Sequence, residues 1–409
     1  MKNYLRIAKL ISITGIFLML FLRFSLIPYF IGTLVLCSLF TIDYKKTDRE
    51  GLKHAILLGG LFFINVISLF YSSNFNEGIK TIESQLSLLL LPFLIYFDQN
   101  FYREERDKIK ILFVASSVIS IITLLIIFIF SGKLIELINF DRQYDVFMIV
   151  RYLNITIDQH PSYISLGYLL ASIIIWQSFK TTTNKAYLIL KVTIILFILA
   201  FIFLLNARAI FIATFFVVVY FAIKYLTEHR LIYKIIIITV LAIGFVFLVK
   251  NTRFKKVFQN FSNATNIEQV DLRFSLWYNA IIAWQEKPLF GYGIGDSKEA
   301  LARIHKQRDI EEAVEYKYNA HNQFFETLLQ TGLVGFVILM LVFTVPFYQS
   351  IRKQQELLFL FLMICFVCFI FESMFQRITG IVFFAFWYSF LVVINLNENK
   401  KMAVIESDK

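Results

Sequence analysis

The stretch "LLFLFLMICFVCFIFESMFQRITGIVFFAFWYSFLVVI" occupies residues 357–394 and decides how the rest of the chain is read. Two apolar runs flank one short polar turn that carries Glu372 and Arg377. The runs are apolar at every register. They lack the period-2 alternation of a half-exposed strand and the single stripe of a surface helix. A run of ~20 such residues, rising 1.5 Å each as a helix, matches the ~30 Å hydrocarbon core of a bilayer. Inside lipid every backbone N–H and C=O must be satisfied within the protein, which leaves helices or a closed barrel. Barrel strands would alternate apolar and polar positions, and these do not. The pair reads as two membrane helices joined by an outside turn.

The same pattern recurs along all 409 residues, of which 58% are hydrophobic and only 17% charged. Soluble domains carry about a quarter charged residues. Twelve spans are expected, near 8–22, 24–42, 54–71, 80–97, 109–130, 162–179, 188–205, 208–226, 232–249, 323–348, 357–371 and 378–396. The expected fold is an all-α polytopic membrane protein of about twelve transmembrane helices, residues 1–409 forming a single integral membrane domain. No small-residue cleavage site follows the first span, which reads as an anchor. With both termini in the cytoplasm, the inside segments hold Lys45-Lys46, Arg103, Arg106 and Lys108, Lys180 and Lys185, and Arg352-Lys353. The short outside loops carry mostly single basic residues, so the positive-inside rule is satisfied. The net charge of +11 then reflects topology and anionic lipid, with no call for nucleic acid. Cys37, Cys365 and Cys368 fall inside apolar spans; without a second pair or nearby histidine they read as small core residues.

Two outside segments break the economy of loops: 131–161, and a large one at 250–322 between the ninth and tenth spans. Long loops in compact chains are commonly functional. Within the larger, "VDLRFSLWYNAIIAWQEKP" offers Asp271 as an N-cap and Lys287-Pro288 as a stop. Leu276, Ala280, Ile281 and Trp284 share one face, so this helix is expected along the membrane surface or packed on the bundle. "DSKEALARIHKQ" presents Asp296 and Glu299 as a capping box. Gly291, Gly293 and Gly295 match neither a dinucleotide fingerprint nor a phosphate loop, and read as tight turns folding the loop back over the bundle.

Candidate functional residues gather on this outer face. His321 opens the tenth span after an ordered-looking loop, and a neutral imidazole can accept a proton near pH 7. Arg208, in "LLNARAIFIA", sits in a tight hairpin between two spans, where ionisable residues are functional candidates. Arg273 lies on the loop helix, and His160 precedes Pro161 on the same face. Glu372 and Arg377 bracket the last outside turn, where they could pair with each other. No Asp-x-Asp occurs, so the sequence gives no support for a metal held by paired acids.

"KPLFGYGIGDS", then "HNQFFETLLQTGLVGF", with "RFSLWYNAI" and "NARAIF" upstream, resembles the O-antigen ligase/polymerase family of membrane glycosyltransferases. Family members often have Ser before, and Gly or Ala after, the upstream arginine; here Asn206-Ala207-Arg208-Ala209 keeps the arginine in place. The resemblance implies a GT-C-like fold in the inner membrane, with the 250–322 loop and active site on the periplasmic side. It implies an undecaprenyl-pyrophosphate-linked glycan donor, a lipid A-core or other glycan acceptor, and inverting, metal-independent transfer without a cofactor. His321 and Arg208 would then be catalytic, with Arg273, Asn322, Arg377 and His160 binding the pyrophosphate or substrate. A polysaccharide polymerase and a protein O-oligosaccharyltransferase share donor, face and motif. A lipid-linked glycan flippase is the rival from another class, though two related halves, common in transporters, are not seen.

Overall fold

The computed structural model describes residues 2–42, 49–132, 159–178, 184–228 and 271–395. The expected ninth span at 232–249 lies outside them, as do 133–158 and 250–270 of the two long loops. Among the described residues there are helices and turns but no strand. In chain order the helices are α1 (Lys2–Leu22), α2 (Ile27–Leu39), α3 (Arg49–Leu69), α4 (Phe75–Gln85), α5 (Ser87–Phe97), α6 (Gln99–Glu104), α7 (Arg106–Phe130) and α8 (Pro161–Gln177). They continue as α9 (Lys185–Leu205), α10 (Arg208–Glu228), α11 (Leu272–Glu286), α12 (Ser297–Gln307), α13 (Glu311–Glu315), α14 (Gln323–Arg352), α15 (Glu356–Phe371) and α16 (Ile378–Asn395).

Seven helical stretches among the described residues are long and apolar enough to cross a membrane; Ile27–Leu39 and Glu356–Phe371 are apolar but shorter. The described chain is thus a helical membrane protein with seven such helices, fewer than the twelve expected. The span expected at 80–97 belongs to a longer stretch, Phe75–Phe97, that breaks at Leu86 between α4 and α5.

At the centre stands α16. Its span is 89% buried, against 22–50% for the other six, because its neighbours cover it on every side. A helix apolar all round is suited to that position. It packs against α3, α5, α6, α8 and α15, and α15 in turn holds α10 and α14. Aromatic rings lock α1 and α7 onto this pole. Trp387 stacks on Phe17 at 5.9 Å between centroids and meets the Phe113 ring edge-on at 4.7 Å. Cys365 and Cys368 are buried in α15, as small core residues should be.

The loop helices cap one end of the bundle. Asp271 starts α11, its carboxylate accepting from the Arg273 N–H at 3.0 Å, and the helix stops at Lys287 before Pro288. Leu276 and Ala280 face inward, and α11 packs on α12 and α14. A small second core of Ala280, Ala283, Tyr292, Leu301, Ile304 and Leu329 seals the contact. The expected capping box is not formed. Asp296 does not cap α12; its two oxygens accept from the Ser73 and Asn74 N–H groups, each at 2.7 Å. Those N–H groups head the turn into α4, where two donors converge on one carboxylate. A bidentate bond of that kind outcompetes a single cap.

The glycine turns do fold the loop back, and they do so onto a broken helix. Within α14, Gly332 adopts φ 64° and ψ −157°, a conformation open almost only to glycine. The break strands backbone groups at both of its sides, and residues 288–293 supply the partners. Tyr292 and Gly293 donate to the Leu329 and Gln330 carbonyls at 2.8 and 2.9 Å, while Leu333 donates to the Pro288 carbonyl at 2.9 Å. A Cβ on Gly332 would lie 2.3 Å from the Leu289 carbonyl oxygen, and one on Gly291 2.6 Å from that of Leu329. The Gly-Leu-Val-Gly step is therefore a docking groove for the loop.

Gly332→Ala is expected to cost about 1–3 kcal/mol in backbone strain alone and to lower the thermal midpoint in detergent. Val337→Ala, at an exposed side chain on the same helix, serves as the control and should leave the midpoint near that of the parent protein.

Candidate active site

The Glu372 carboxylate is the centre of the site. It ends α15, where the chain leaves the helix in extended conformation, and its side chain is only 4% exposed. One oxygen accepts from the Ser162 hydroxyl at 2.9 Å and from the Arg273 guanidinium at 3.2 Å. The other lies 3.6 Å from His321 Nδ1, within electrostatic reach and slightly long for a hydrogen bond. Burial alone would push this carboxyl up. His160 in its protonated form, His321 and Arg273 nevertheless hold it well below the usual carboxylate range.

Each partner arrives from a different part of the chain. Ser162 and His160 come from the start of α8, where His160 Nδ1 caps the helix by accepting from the Ser162 N–H at 3.3 Å. That bond needs Nδ1 without its proton. Burial agrees, pushing His160 down to about 4 even though Glu372 pulls the other way, so the ring is neutral at pH 7. Tyr163 follows, donating to the Ser373 carbonyl at 3.1 Å and meeting the His160 ring edge-on.

His321 sits at φ 44°, in the left-handed region that few non-glycine residues adopt. Its N–H donates to Asn319 Oδ1 at 2.9 Å, and the Tyr318 ring stands edge-on to the imidazole. Asn322 then starts α14: its Oδ1 accepts from the Phe324 and Phe325 N–H groups at 2.9 and 3.1 Å, and its own N–H donates to Ser373 Oγ at 3.2 Å. The turn that presents His321 is thus pinned on both sides, to the cap of its own helix and to the loop after Glu372.

Arg208 opens α10 two residues after Asn206, whose left-handed φ of 49° closes the tight hairpin. Its guanidinium pairs with Asp271, which also caps α11. Burial would raise the Asp271 carboxyl, but Arg208 and Arg273 hold it low. Arg377 lies at the far end of the turn after Glu372, exposed and electrostatically coupled to His160. It does not pair with Glu372, the partnership its sequence position suggested, because Arg273 and His321 take that carboxylate instead.

The fold therefore draws His160, Arg273, His321 and Asn322 into one cluster around Glu372. Arg208 joins through Asp271, and Arg377 stands at its edge. Among these residues three guanidiniums face two carboxylates, an excess of one positive charge before any histidine ionises. The sequence reading weighed Glu372 only as a partner for Arg377 and Asp271 only as a helix cap, and it did not name Ser162. For Glu372 a signal existed: an acid at the end of an otherwise uncharged apolar run invites a buried partner.

Residues 192–340 match the family model described as O-Antigen ligase. That segment contains Arg208, Arg273, His321 and Asn322, whereas His160, Glu372 and Arg377 lie outside it. The resemblance seen in the sequence motifs is thus found again over a continuous stretch of chain. An uncharacterized protein of Haemophilus influenzae is 33% identical over 81 residues, 20% of each chain. A ComP-specific O-oligosaccharyltransferase of Acinetobacter baylyi is 22% identical over 397 residues, 91% of this chain and 66% of that protein. The chain thus spans about a fifth of the first relative and just under two thirds of the second. The family model and the second relative are thus a ligase and an oligosaccharyltransferase by description, and the first relative carries no described activity.

Because the Glu372 carboxyl is held low, its charged contacts stabilise the fold fully above the unfolded carboxyl range, near pH 4.3, and are lost as pH falls below it. Glu372→Gln should cost about 3 kcal/mol at pH 7. The deficit in thermal midpoint should stay level from pH 8 to 5 and shrink below about pH 4. A deficit that instead grows as pH falls from 7 to 5 would mean that protonated histidines carry the charge opposite Glu372.

Proposed function

We propose that this chain is a glycosyltransferase that moves a glycan from undecaprenyl pyrophosphate to a hydroxyl of lipid A-core, at the periplasmic face of the inner membrane. The observation that carries the reading is the buried Glu372 carboxylate, one oxygen facing His321 and the other held by the Arg273 guanidinium. In the transfer the acceptor oxygen forms a bond to the anomeric carbon. The bond from that carbon to the diphosphate oxygen breaks, its electron pair leaving with the diphosphate. The acceptor proton goes to His321. With Nδ1 turned toward Glu372, the Nε2 lone pair is the one available to take it. Direct displacement inverts the anomeric centre.

Negative charge builds on the departing diphosphate, and planar guanidinium forks oppose it well. Arg377, exposed at the rim, meets the anionic group first. Arg273 and Arg208 are held by carboxylates here and so are already aligned when phosphate oxygens arrive. Asn322 and His160 act one step back: the first fixes the turn carrying His321, and the second contributes a neutral polar wall.

A protein hydroxyl is the second acceptor reading, favoured by the likeness over 91% of this chain to a protein named as an O-oligosaccharyltransferase. The two part company on deletion. Loss of a lipid A-core ligase leaves polymer on the lipid carrier with bare core, whereas loss of a protein glycosylation enzyme leaves the lipopolysaccharide intact.

Purified protein given lipid-linked donor and acceptor should form the new glycosidic bond. His321→Ala should slow it by at least ~100-fold, the scale of a lost general base, and Arg208→Ala should abolish transfer with insertion intact. Arg208→Lys should also be poor, since a point charge does not replace a fork. Donor crossing liposomes without bond formation would overturn the transferase reading in favour of a flippase.

A further inference from the structure

A second polar feature lies on the same end of the bundle, away from Glu372. The turn between α3 and α4 and the start of α12 enclose an open cleft of about 410 Å³, lined by Ser73, Asn74, Phe75, Asn76 and Glu299. That volume is within the range of small-ligand pockets. Its walls are fixed. Asp296 holds the Ser73 and Asn74 N–H groups, and Asn74 Nδ2 donates to Glu299 Oε1 at 3.2 Å. Asn76 and Phe75 are exposed, Phe75 by 51%. Lys298 is within electrostatic reach both of Glu77, next to the cleft, and of Glu326, which accepts from the Ala320 N–H beside His321. Lys298 thus links the cleft electrostatically to the start of α14.

We propose that this cleft is a saccharide subsite, in which one uncharged pyranose of a glycan rests its apolar face on Phe75 while its hydroxyls bond to Asn76, Ser73 and Glu299. The inference rests on the transferase reading for its ligand. The lining supplies what such a ring needs: amide donors and acceptors, a carboxylate acceptor, a hydroxyl and an exposed aromatic face. The residue bound belongs to the donor glycan or to the acceptor, both of which present the same hydroxyl-bearing rings.

Binding is measured by saturation-transfer NMR on the full chain in detergent, carrying His321→Ala so that no turnover interferes. One probe is the saccharide released by mild acid from the cell's own lipid-diphosphate-linked glycan; the other is delipidated lipopolysaccharide core. Binding of the first marks a donor subsite, and binding of the second an acceptor subsite. Phe75→Leu and Asn76→Ala should each weaken it about tenfold, equivalent to ~1.4 kcal/mol, with the thermal midpoint retained. Phe75→Leu keeps an apolar side chain, so a ring that merely anchors in the membrane interface would leave binding unchanged, and that result overturns the proposal. Failure of both probes to bind overturns it as well. A saccharide that binds and is weakened by both variants, in a protein whose parent chain transfers nothing, upholds the subsite and overturns the transferase reading instead.

Discussion

A carboxylate taken out of water at the end of an apolar helix cannot stand alone, and Glu372 does not. Its charge is costly where it sits, and three parts of the chain bring it partners: α8 through Ser162, α11 through Arg273 and the turn before α14 through His321. Removing any one leaves the others facing a partly uncompensated charge. The site is therefore a cross-brace of the bundle as well as a place for chemistry. It also ties the loop helices to the membrane helices, because Arg273 lies on α11 and its helix is capped by the acid that holds Arg208.

The loop segment gains its position from a different physical source. α14 is broken at Gly332, and the backbone groups exposed by the break are satisfied by the strand of chain from Pro288 to Gly293. Buried backbone polar groups need partners, and within an apolar bundle no water stands in for them. The loop is thus fixed by main-chain bonds at the strap and by side-chain charges at the site. The first sets where α11 lies and the second sets where its arginine points. His321, held at positive φ between the Asn322 cap and the Asn319 turn, leads into the same helix that carries the break.

Neighbours along the chain were a poor guide to partners in the site. Glu372 and Arg377 stand five positions apart and suggested each other, yet the acid turns inward to Arg273 and the arginine stays at the surface. Asp296 and Glu299 had capping-box spacing, but Asp296 reaches across to the α3–α4 turn. In both places a long-range partner offered a stronger contact than the local one. His160 and Asn322 carried substrate-binding expectations from the resemblance; in the structure each caps a helix, meeting the free N–H groups every helix start presents.

By itself the sequence determined that this is a helical membrane protein, since unbroken apolar runs leave the backbone no other way to satisfy its polar groups. It also determined which cationic and imidazole side chains lie at the run boundaries, and that Asp271, Lys287-Pro288 and Asn206-Ala207-Arg208 mark turns and caps, because those signals are local. Only the tertiary structure decided that α16 is the buried pole, that Gly332 breaks its helix to receive the loop, and that Glu372 gathers residues from α8, α11 and the turn before α14. These depend on which surfaces meet across long stretches of chain, and a pairing energy between distant residues leaves no periodicity for a sequence to show.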